Sequence, residues 1–284
     1  MERFCRKALF IFASLHTSIA MTKKVHPIFK AALFCMAFTA LYVLLSLLKS
    51  ALFRETGNLA HALIGIFVAL LVTWAFLKAD KRSFRSIGLF LERPTISRFL
   101  MGIGLGIVLM AGMTAAVIFF SGFSLSRNPE SDLLKFLMGS LPLLPLAFME
   151  ELAFRGYPFE TLREKTGLRS SIYISALLFG LYHLANGWTL QNALLGAGVW
   201  GIIFGLAAHR SRGIALPTGL HYAANLTTSA FGISSGSYHL WVLKASDGGS
   251  LANYQGSMLE TLLPQVGLLL VGVVGVEWLR GRRT

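Results

Sequence analysis

Long blocks of apolar residues recur along the whole chain, and they limit what it can fold into more than any other feature. Each block holds about 20 residues, the length of α-helix that crosses the hydrocarbon core of a bilayer. Of the 284 residues, 55% are hydrophobic and only 14% are charged, which is more apolar surface than a soluble core can bury. The pattern predicts an all-α, polytopic membrane protein with about eight transmembrane helices. Their expected positions are residues 28–48, 58–78, 98–120, 133–162, 170–185, 190–209, 214–232 and 258–279.

Basic residues concentrate in every second loop between these blocks. The net charge is +13, and the excess lies before the first block, after the second, fourth and sixth, and at the C-terminus. By the positive-inside rule, we expect these loops and both termini to face the cytoplasm, with the chain in the inner or plasma membrane. The opposite loops at 122–131 and 234–257 hold only Arg127 and Lys244 as basic residues. Charge distributed in this way predicts a lipid bilayer as a partner and no nucleic acid.

Ionisable side chains enter the fourth apolar block, where they cost several kcal/mol unless they are paired or line a wet cavity. Glu151 and Arg155 are four residues apart with the acid first, which favours an ion pair on one helix. Glu150 points about 100° away from Glu151 and can face a different cavity. It is therefore the candidate general base. The alternative is an amphipathic helix end with all three side chains reaching out to water.

Imidazole and amide groups enter two further blocks. His183 follows Phe179 by four residues and precedes Asn186, and it lies about 20 Å from the start of the fifth predicted helix. In the seventh block, His221 and Asn225 project from the same helix face and can offer two donors to one oxyanion. Taken alone, each cluster can instead be a polar bridge between neighbouring helices.

These three motifs, in this order, resemble the CPBP family, also called Abi, which includes the type II CAAX prenyl endopeptidases and bacteriocin-processing proteins. The pattern EExxxR spans 150–155, FxxxH spans 179–183 and HxxxN spans 221–225. The resemblance covers about residues 140–232, whereas residues 1–130 are similar only in being hydrophobic helices. It implies an intramembrane glutamic endopeptidase that acts on a membrane-tethered or hydrophobic peptide or protein.

The resemblance also implies a role for each motif residue. The implied catalytic residues are Glu150, His183, His221 and Asn225. The first two activate a water for attack on a peptide carbonyl, the other two stabilise the oxyanion, and the Glu151–Arg155 pair supports them by fixing the helix. The residue chemistry agrees, because a carboxylate in a low-dielectric pocket is a stronger general base than an exposed one. Amide and imidazole N–H groups are suitable oxyanion donors.

A metal site is the main alternative chemistry. Members of this family have been described as metalloproteases, and Glu150, His183 and His221 can supply a zinc site with one open position. However, the sequence has no HExxH motif, in which two histidines on one helix preorganise zinc. The three candidate ligands also come from separate helices. We therefore favour a mechanism without a cofactor, with zinc as the alternative.

The chain divides into four predicted parts. These are an uncertain signal-like or interfacial segment at 1–21, N-terminal transmembrane helices at 22–131, CPBP-like catalytic helices at 132–235, and an outer loop with the final transmembrane helix at 236–284. Two other functions stay open. One is a non-proteolytic membrane scaffold or bacteriocin-immunity factor of the same fold. The other, less favoured, is a proton-coupled transporter, for which the sequence lacks a repeat of two halves.

Small and aromatic residues outside the motifs have structural interpretations. Ala197, Gly201 and Gly205 recur every four residues, which permits close packing of helices. The same interpretation applies to three glycines of the third block, at positions 102, 104 and 106. Trp188 and Trp241 lie near predicted outer boundaries, where tryptophan commonly forms an aromatic belt.

Overall fold

The computed structural model describes residues 25–52, 58–233, 239–244 and 258–281, and most of this part of the chain is helical. The predicted segment 1–21 lies outside the described residues. The helices are α1 (Pro27–Leu52), α2 (Asn58–Ala79), α3 (Pro94–Ser121), α4 (Leu133–Ser140), α5 (Leu143–Glu151), α6 (Tyr157–Thr166), α7 (Leu168–Tyr182), α8 (Val199–Ser211), α9 (Ala215–Ala230) and α10 (Met258–Gly281). Short 3₁₀ turns at Phe84–Ile87 and His183–Asn186 and π turns at Leu152–Gly156 and Asn192–Gly198 join them.

Helix length and composition support residence in a membrane. Within the described residues, five stretches are long and apolar enough to cross a bilayer: Pro27–Ser50, Leu59–Ala79, Pro94–Phe120, Leu133–Thr166 and Asn192–Ser211. A shorter apolar stretch, Leu263–Leu279, lies in α10. Helices α7 and α9 are only 15 and 16 residues long, and both have many buried residues. The predicted class, an all-α polytopic membrane protein, is confirmed.

The fourth apolar block is not the single helix that its hydropathy predicts. The Asp132 carboxylate accepts a hydrogen bond from the Lys135 N–H at 3.0 Å and caps α4. That helix ends at Ser140, and α5 begins directly after Pro142. Proline lacks an N–H and its ring clashes with the preceding turn, so it ends a helix. The π turn that follows α5 is a local widening of a kind often found at functional sites.

A two-stranded antiparallel sheet forms within the predicted outer loops. Strand β1 (Ser124–Arg127) pairs with β2 (Trp241–Lys244), with Ser124 opposite Lys244. Beneath it, Phe123 and Leu243 are buried together against the ends of α3 and α9. We call this end of the bundle the sheet end, and the opposite end, which carries the basic loops, the basic end.

Helices α3 and α9 pack through glycine. A Cβ at Gly106 would lie 2.7 Å from both the Ala223 Cβ and the Leu220 carbonyl oxygen. A Cβ at Gly102 would likewise overlap the backbone of α9, whereas one at Gly104 would meet nothing within 4 Å. The predicted packing role is therefore confirmed for Gly102 and Gly106 and is wrong for Gly104. Since α9 carries His221 and Asn225, this contact sets their position.

We expect Gly106→Ala to destabilise the protein by about 1–3 kcal/mol, because α3 and α9 must separate to admit the methyl group. Gly104→Ala adds the same group on the open face of the same helix, and it is expected to be neutral or to stabilise by up to ~1 kcal/mol. Thermal unfolding in detergent, followed by circular dichroism, compares the two variants. Equal melting temperatures would contradict the close approach of the two helices.

Candidate active site

The predicted site residues lie on three helices and the turns that follow them, and a chain of contacts connects four of them: Glu150, His221, Glu151 and Arg155. Helix α5 ends with Glu150 and Glu151, the π turn carries Arg155, the turn after α7 begins with His183, and α9 carries His221. The exposed fractions of Glu151, Arg155 and His221 are 0%, 1% and 5%. The side chain of Glu150 is 13% exposed, so it is the more accessible of the two carboxylates.

The ring of His221 lies between the two glutamates. Its Nδ1 is 2.8 Å from Glu151 Oε1, and its Nε2 is 3.5 Å from Glu150 Oε2. Because a carboxylate oxygen accepts, the Nδ1–H donates to Glu151, which turns Nε2 towards Glu150. The longer contact exceeds ordinary hydrogen-bond length. The hydrogen bond to Glu151 therefore fixes the imidazole, whereas the contact with Glu150 is too long to do so.

A buried ion pair holds Glu151 in place. Arg155 donates from Nη1 to Glu151 Oε1 at 3.3 Å and from Nη2 to the Gly201 carbonyl at 3.2 Å. A Cβ at Gly201 would lie 3.2 Å from Arg155 Nη2, so a small residue is needed there. The pair predicted from the spacing is present. The alternative of an amphipathic helix end is wrong for Glu151 and Arg155, because both are fully enclosed by protein.

Phe179, the first residue of the FxxxH motif, contacts three of the charged or polar groups. Its ring centroid is 4.3 Å from the Arg155 guanidinium, 4.8 Å from the His183 ring and 5.8 Å from the His221 ring. On the other side, Phe204 of α8 stacks on His221 at 4.4 Å. These aromatic contacts fix both imidazole rings and add cation–π attraction to Arg155.

The orientation of His183 leaves one ring nitrogen available. The Nδ1–H donates to the Phe179 carbonyl oxygen at 2.9 Å, so Nε2 carries the free lone pair. The ring packs against Tyr182 at 5.2 Å and Trp188 at 4.6 Å. Trp188, expected only as part of an aromatic belt, therefore also contacts a candidate catalytic residue. Asn186, at the end of the same turn, is exposed.

The donor set does not form a metal centre in the part of the chain that the structure describes. Within those residues, no group of three or more His, Cys, Asp or Glu side chains is placed to hold one ion. Glu150 and His221 are close to each other, and the His183 ring packs against Phe179 and Trp188. The mechanism without a cofactor and the zinc alternative both stay predictions.

Two tyrosines near Glu150 were not predicted from the sequence. Tyr42 of α1 is 2% exposed, and its hydroxyl has no hydrogen-bond partner within the described residues. Both Tyr42 and Tyr182 interact electrostatically with Glu150. The Tyr42 ring lies 4.8 Å from the ring of His61, a residue of α2 that the sequence left unassigned. No motif marks Tyr42, because aromatic residues are common in apolar helices and only the fold brings it to the site.

A cavity of about 650 Å³ adjoins the site from the sheet end. Trp188, which packs on His183, lies in its wall, as do Thr228 and Gln265. The Thr228 hydroxyl donates to the Asn225 carbonyl oxygen at 2.9 Å, which connects the wall to the HxxxN motif. Both apolar and polar side chains line this cavity.

Comparison with known proteins finds a family match over the three motifs. No curated protein matches the chain. Residues 132–227 match the family described as type II CAAX prenyl endopeptidase Rce1-like, a stretch that contains all three motifs. It runs from the N-terminal cap of α4 into α9, and so covers the elements that carry the glutamates, both histidines and Asn225. Residues 132–227 therefore form an Rce1-like type II CAAX prenyl endopeptidase domain, the family that the motifs resemble.

Proposed function

We propose that the protein is an intramembrane endopeptidase that hydrolyses a peptide bond of a membrane-tethered or hydrophobic peptide or protein. One observation carries the proposal: a partly accessible carboxylate, Glu150, lies 3.5 Å from an imidazole, His221, that a buried Glu151–Arg155 pair holds in place. The match to a family of membrane endopeptidases supports the reaction class. A CAAX-type cleavage is the specific form that we infer.

In the proposed reaction, Glu150 removes a proton from a water molecule as the water oxygen attacks the peptide carbonyl carbon. The lone pair on His183 Nε2 accepts a second hydrogen bond from that water and directs it. When the tetrahedral intermediate collapses, the C–N bond breaks and Glu150 returns its proton to the leaving nitrogen. The products are a carboxylic acid and an amine, and the carboxylate of Glu150 is regenerated.

The oxyanion requires hydrogen-bond donors, and the two candidates are Asn225 and His221. Asn225 can donate from its side-chain amide. Because Nδ1–H of His221 is directed at Glu151, we infer that its other ring nitrogen, Nε2, faces the oxyanion.

The proposal is tested by comparing peptide termini in membranes of strains that carry the wild type or Glu150→Gln. At least one terminus is expected to disappear with the variant. Glu160→Gln is the matched control, since Glu160 pairs with Arg163 away from the site. Identical sets of termini, with the phenotype retained, would favour the scaffold or immunity factor. Proton-coupled uptake into vesicles, abolished by Glu150→Gln, would favour the transporter.

We expect activity to survive metal removal, because the proposed steps use only protein side chains. Purified protein is analysed for bound zinc and assayed for peptide cleavage before and after treatment with a strong chelator. The expected result is unchanged activity with less than one zinc per chain. Stoichiometric zinc together with chelator-sensitive activity would replace this mechanism with the zinc alternative.

We also expect Tyr42→Phe to lower kcat/KM about 3- to 10-fold, because we infer that this hydroxyl, which has no partner among the described residues, donates one hydrogen bond to the bound substrate or water. The same change should not lower the melting temperature, because it removes no hydrogen bond between described residues. Tyr173→Phe serves as the control, as its hydroxyl lies near Glu277, away from the site. Unchanged activity in Tyr42→Phe would exclude its hydroxyl from the reaction.

A further inference from the structure

Two cavities of opposite character adjoin each other at the basic end of the bundle. The first, of about 700 Å³, lies between α2, α3, α5 and α9, and its walls include Ile66, Leu89, Phe99, Pro145, Phe148 and Ile214. The second, of about 570 Å³, has polar walls that include Arg85, Glu160, Arg163, Arg210 and Arg212. Gly88, Phe90 and Arg212 line both cavities and form the boundary between them. Each volume lies in the usual range for small-molecule sites.

The second cavity has a strong excess of positive charge. Among the described residues, four arginines and one carboxylate line it, and this carboxylate, Glu160, is bound to Arg163 at 2.6 Å. The described part of the cavity wall therefore holds no acid to match Arg85, Arg210 and Arg212. The guanidinium of Arg85 lies 5.0 Å from the Phe90 ring centroid, which places this charge at the boundary with the apolar cavity.

The backbone at the boundary is tightly constrained. A Cβ at Gly88 would lie 2.7 Å from the Gly213 Cα and 2.8 Å from the Arg212 carbonyl oxygen, so the two loops touch. Arg212 has a φ of 53° because it is the left-handed C-cap of α8, where its backbone N–H donates to the carbonyl oxygens of Ala208 and His209. The backbone therefore fixes the boundary between the two cavities.

We propose that the two cavities form one binding site for an anionic phospholipid, with an acyl chain in the apolar cavity and the phosphate among Arg85, Arg210 and Arg212. Arginine suits phosphate because its planar donors match the phosphate oxygens. The apolar cavity opens beside Leu91 and Ile96, which are 92% and 71% exposed and offer a route from the bilayer. The basic end is also the predicted cytoplasmic end, where anionic lipids are concentrated.

The test uses the full-length protein reconstituted with phosphatidylglycerol and phosphatidylcholine of identical acyl chains and examined by native mass spectrometry. The wild type is expected to retain phosphatidylglycerol preferentially. In Arg85→Gln/Arg212→Asn, that preference should fall by about fivefold for each arginine removed. Asparagine is chosen at position 212 because it tolerates the left-handed conformation. Arg93→Gln removes one charge from the same end, outside both cavities, and should keep the preference.

Several outcomes would overturn the proposal. Equal retention of both lipids by the wild type would do so without any variant, even if the double variant failed to fold. An equal loss of the phosphatidylglycerol preference in Arg93→Gln would show that the preference comes from general surface charge. Glycerol phosphate, which has no acyl chain, should not displace phosphatidylglycerol; displacement would exclude the apolar cavity from binding. Displacement by a hydrophobic peptide with a free C-terminal carboxylate would assign the cavities to the substrate.

Discussion

Replacing Glu150 by glutamine should reduce peptide hydrolysis by about 100- to 10,000-fold, the usual contribution of a general base. Glutamine keeps the size and hydrogen-bonding capacity of the side chain but cannot accept a proton from water. The side chain is partly accessible and takes no part in the buried ion pair, so the helices should stay folded. The measurement is kcat/KM of purified protein in lipid, with a hydrophobic peptide that contains the terminus identified in the strain comparison.

Two controls separate this effect from unfolding. The melting temperature of Glu150→Gln should equal that of the wild type, and Glu160→Gln should retain full activity. Glu150→Asp keeps the carboxylate but moves it away from His221 by one methylene, so a partial rate is expected. A fully active Glu150→Gln would remove Glu150 from the mechanism and leave the scaffold function as the better explanation.

The second large effect is expected at Arg155. Replacing it by methionine leaves the Glu151 carboxylate, which is 0% exposed, with only its hydrogen bond from His221, and this should destabilise the protein by about 3–5 kcal/mol. Removing both charges, in Glu151→Gln/Arg155→Met, should recover much of this loss because no uncompensated charge stays buried. Unfolding midpoints in mixed detergent micelles compare the single and double variants.

Arg163→Met provides the matched control for Arg155. Its partner, Glu160, is three residues away and its own side chain is 37% exposed, so the loss should be no more than about 1 kcal/mol. Since His221 hydrogen bonds to Glu151, the double variant should fold but hydrolyse the peptide slowly. This result would separate the role of the pair in stability from its role in holding His221. Equal stability of Arg155→Met and Arg163→Met would show that the buried pair is not needed for folding.

Helix positions could be predicted well because the hydrophobicity of each apolar block is enough to indicate a helix, whatever the rest of the chain contains. The break between α4 and α5 could also have been inferred, because Pro142 interrupts helical hydrogen bonding at that point. The pairing of β1 with β2 could not have been predicted from the sequence. Their register depends on how α3 and α9 bring two loops together across more than a hundred residues, which no local pattern records.

Some contacts of the site could likewise be predicted from local sequence, and others could not. The Glu151–Arg155 pair follows from one helical turn, so spacing alone predicts it. The contact of His221 with Glu151 joins positions 70 residues apart and appears only once α5 and α9 have packed. The place of Tyr42 near the site is still harder to predict from the sequence, because it lies on a helix that carries none of the three motifs. The roles assigned to Glu150, His183, His221 and Asn225 remain predictions that the proposed variants test.

The position of the buried ion pair also bears on how the protein is made. A lone charged residue in the middle of a helix adds about 3 kcal/mol to the cost of its insertion into the membrane during synthesis. Glu151 and Arg155 lie on the same segment and contact each other at 3.3 Å without help from any other helix. They can therefore neutralise each other while the nascent segment leaves the ribosome, before α8 and α9 have been translated. The spacing of these residues thus lowers the cost of inserting a helix that carries two charges into the bilayer.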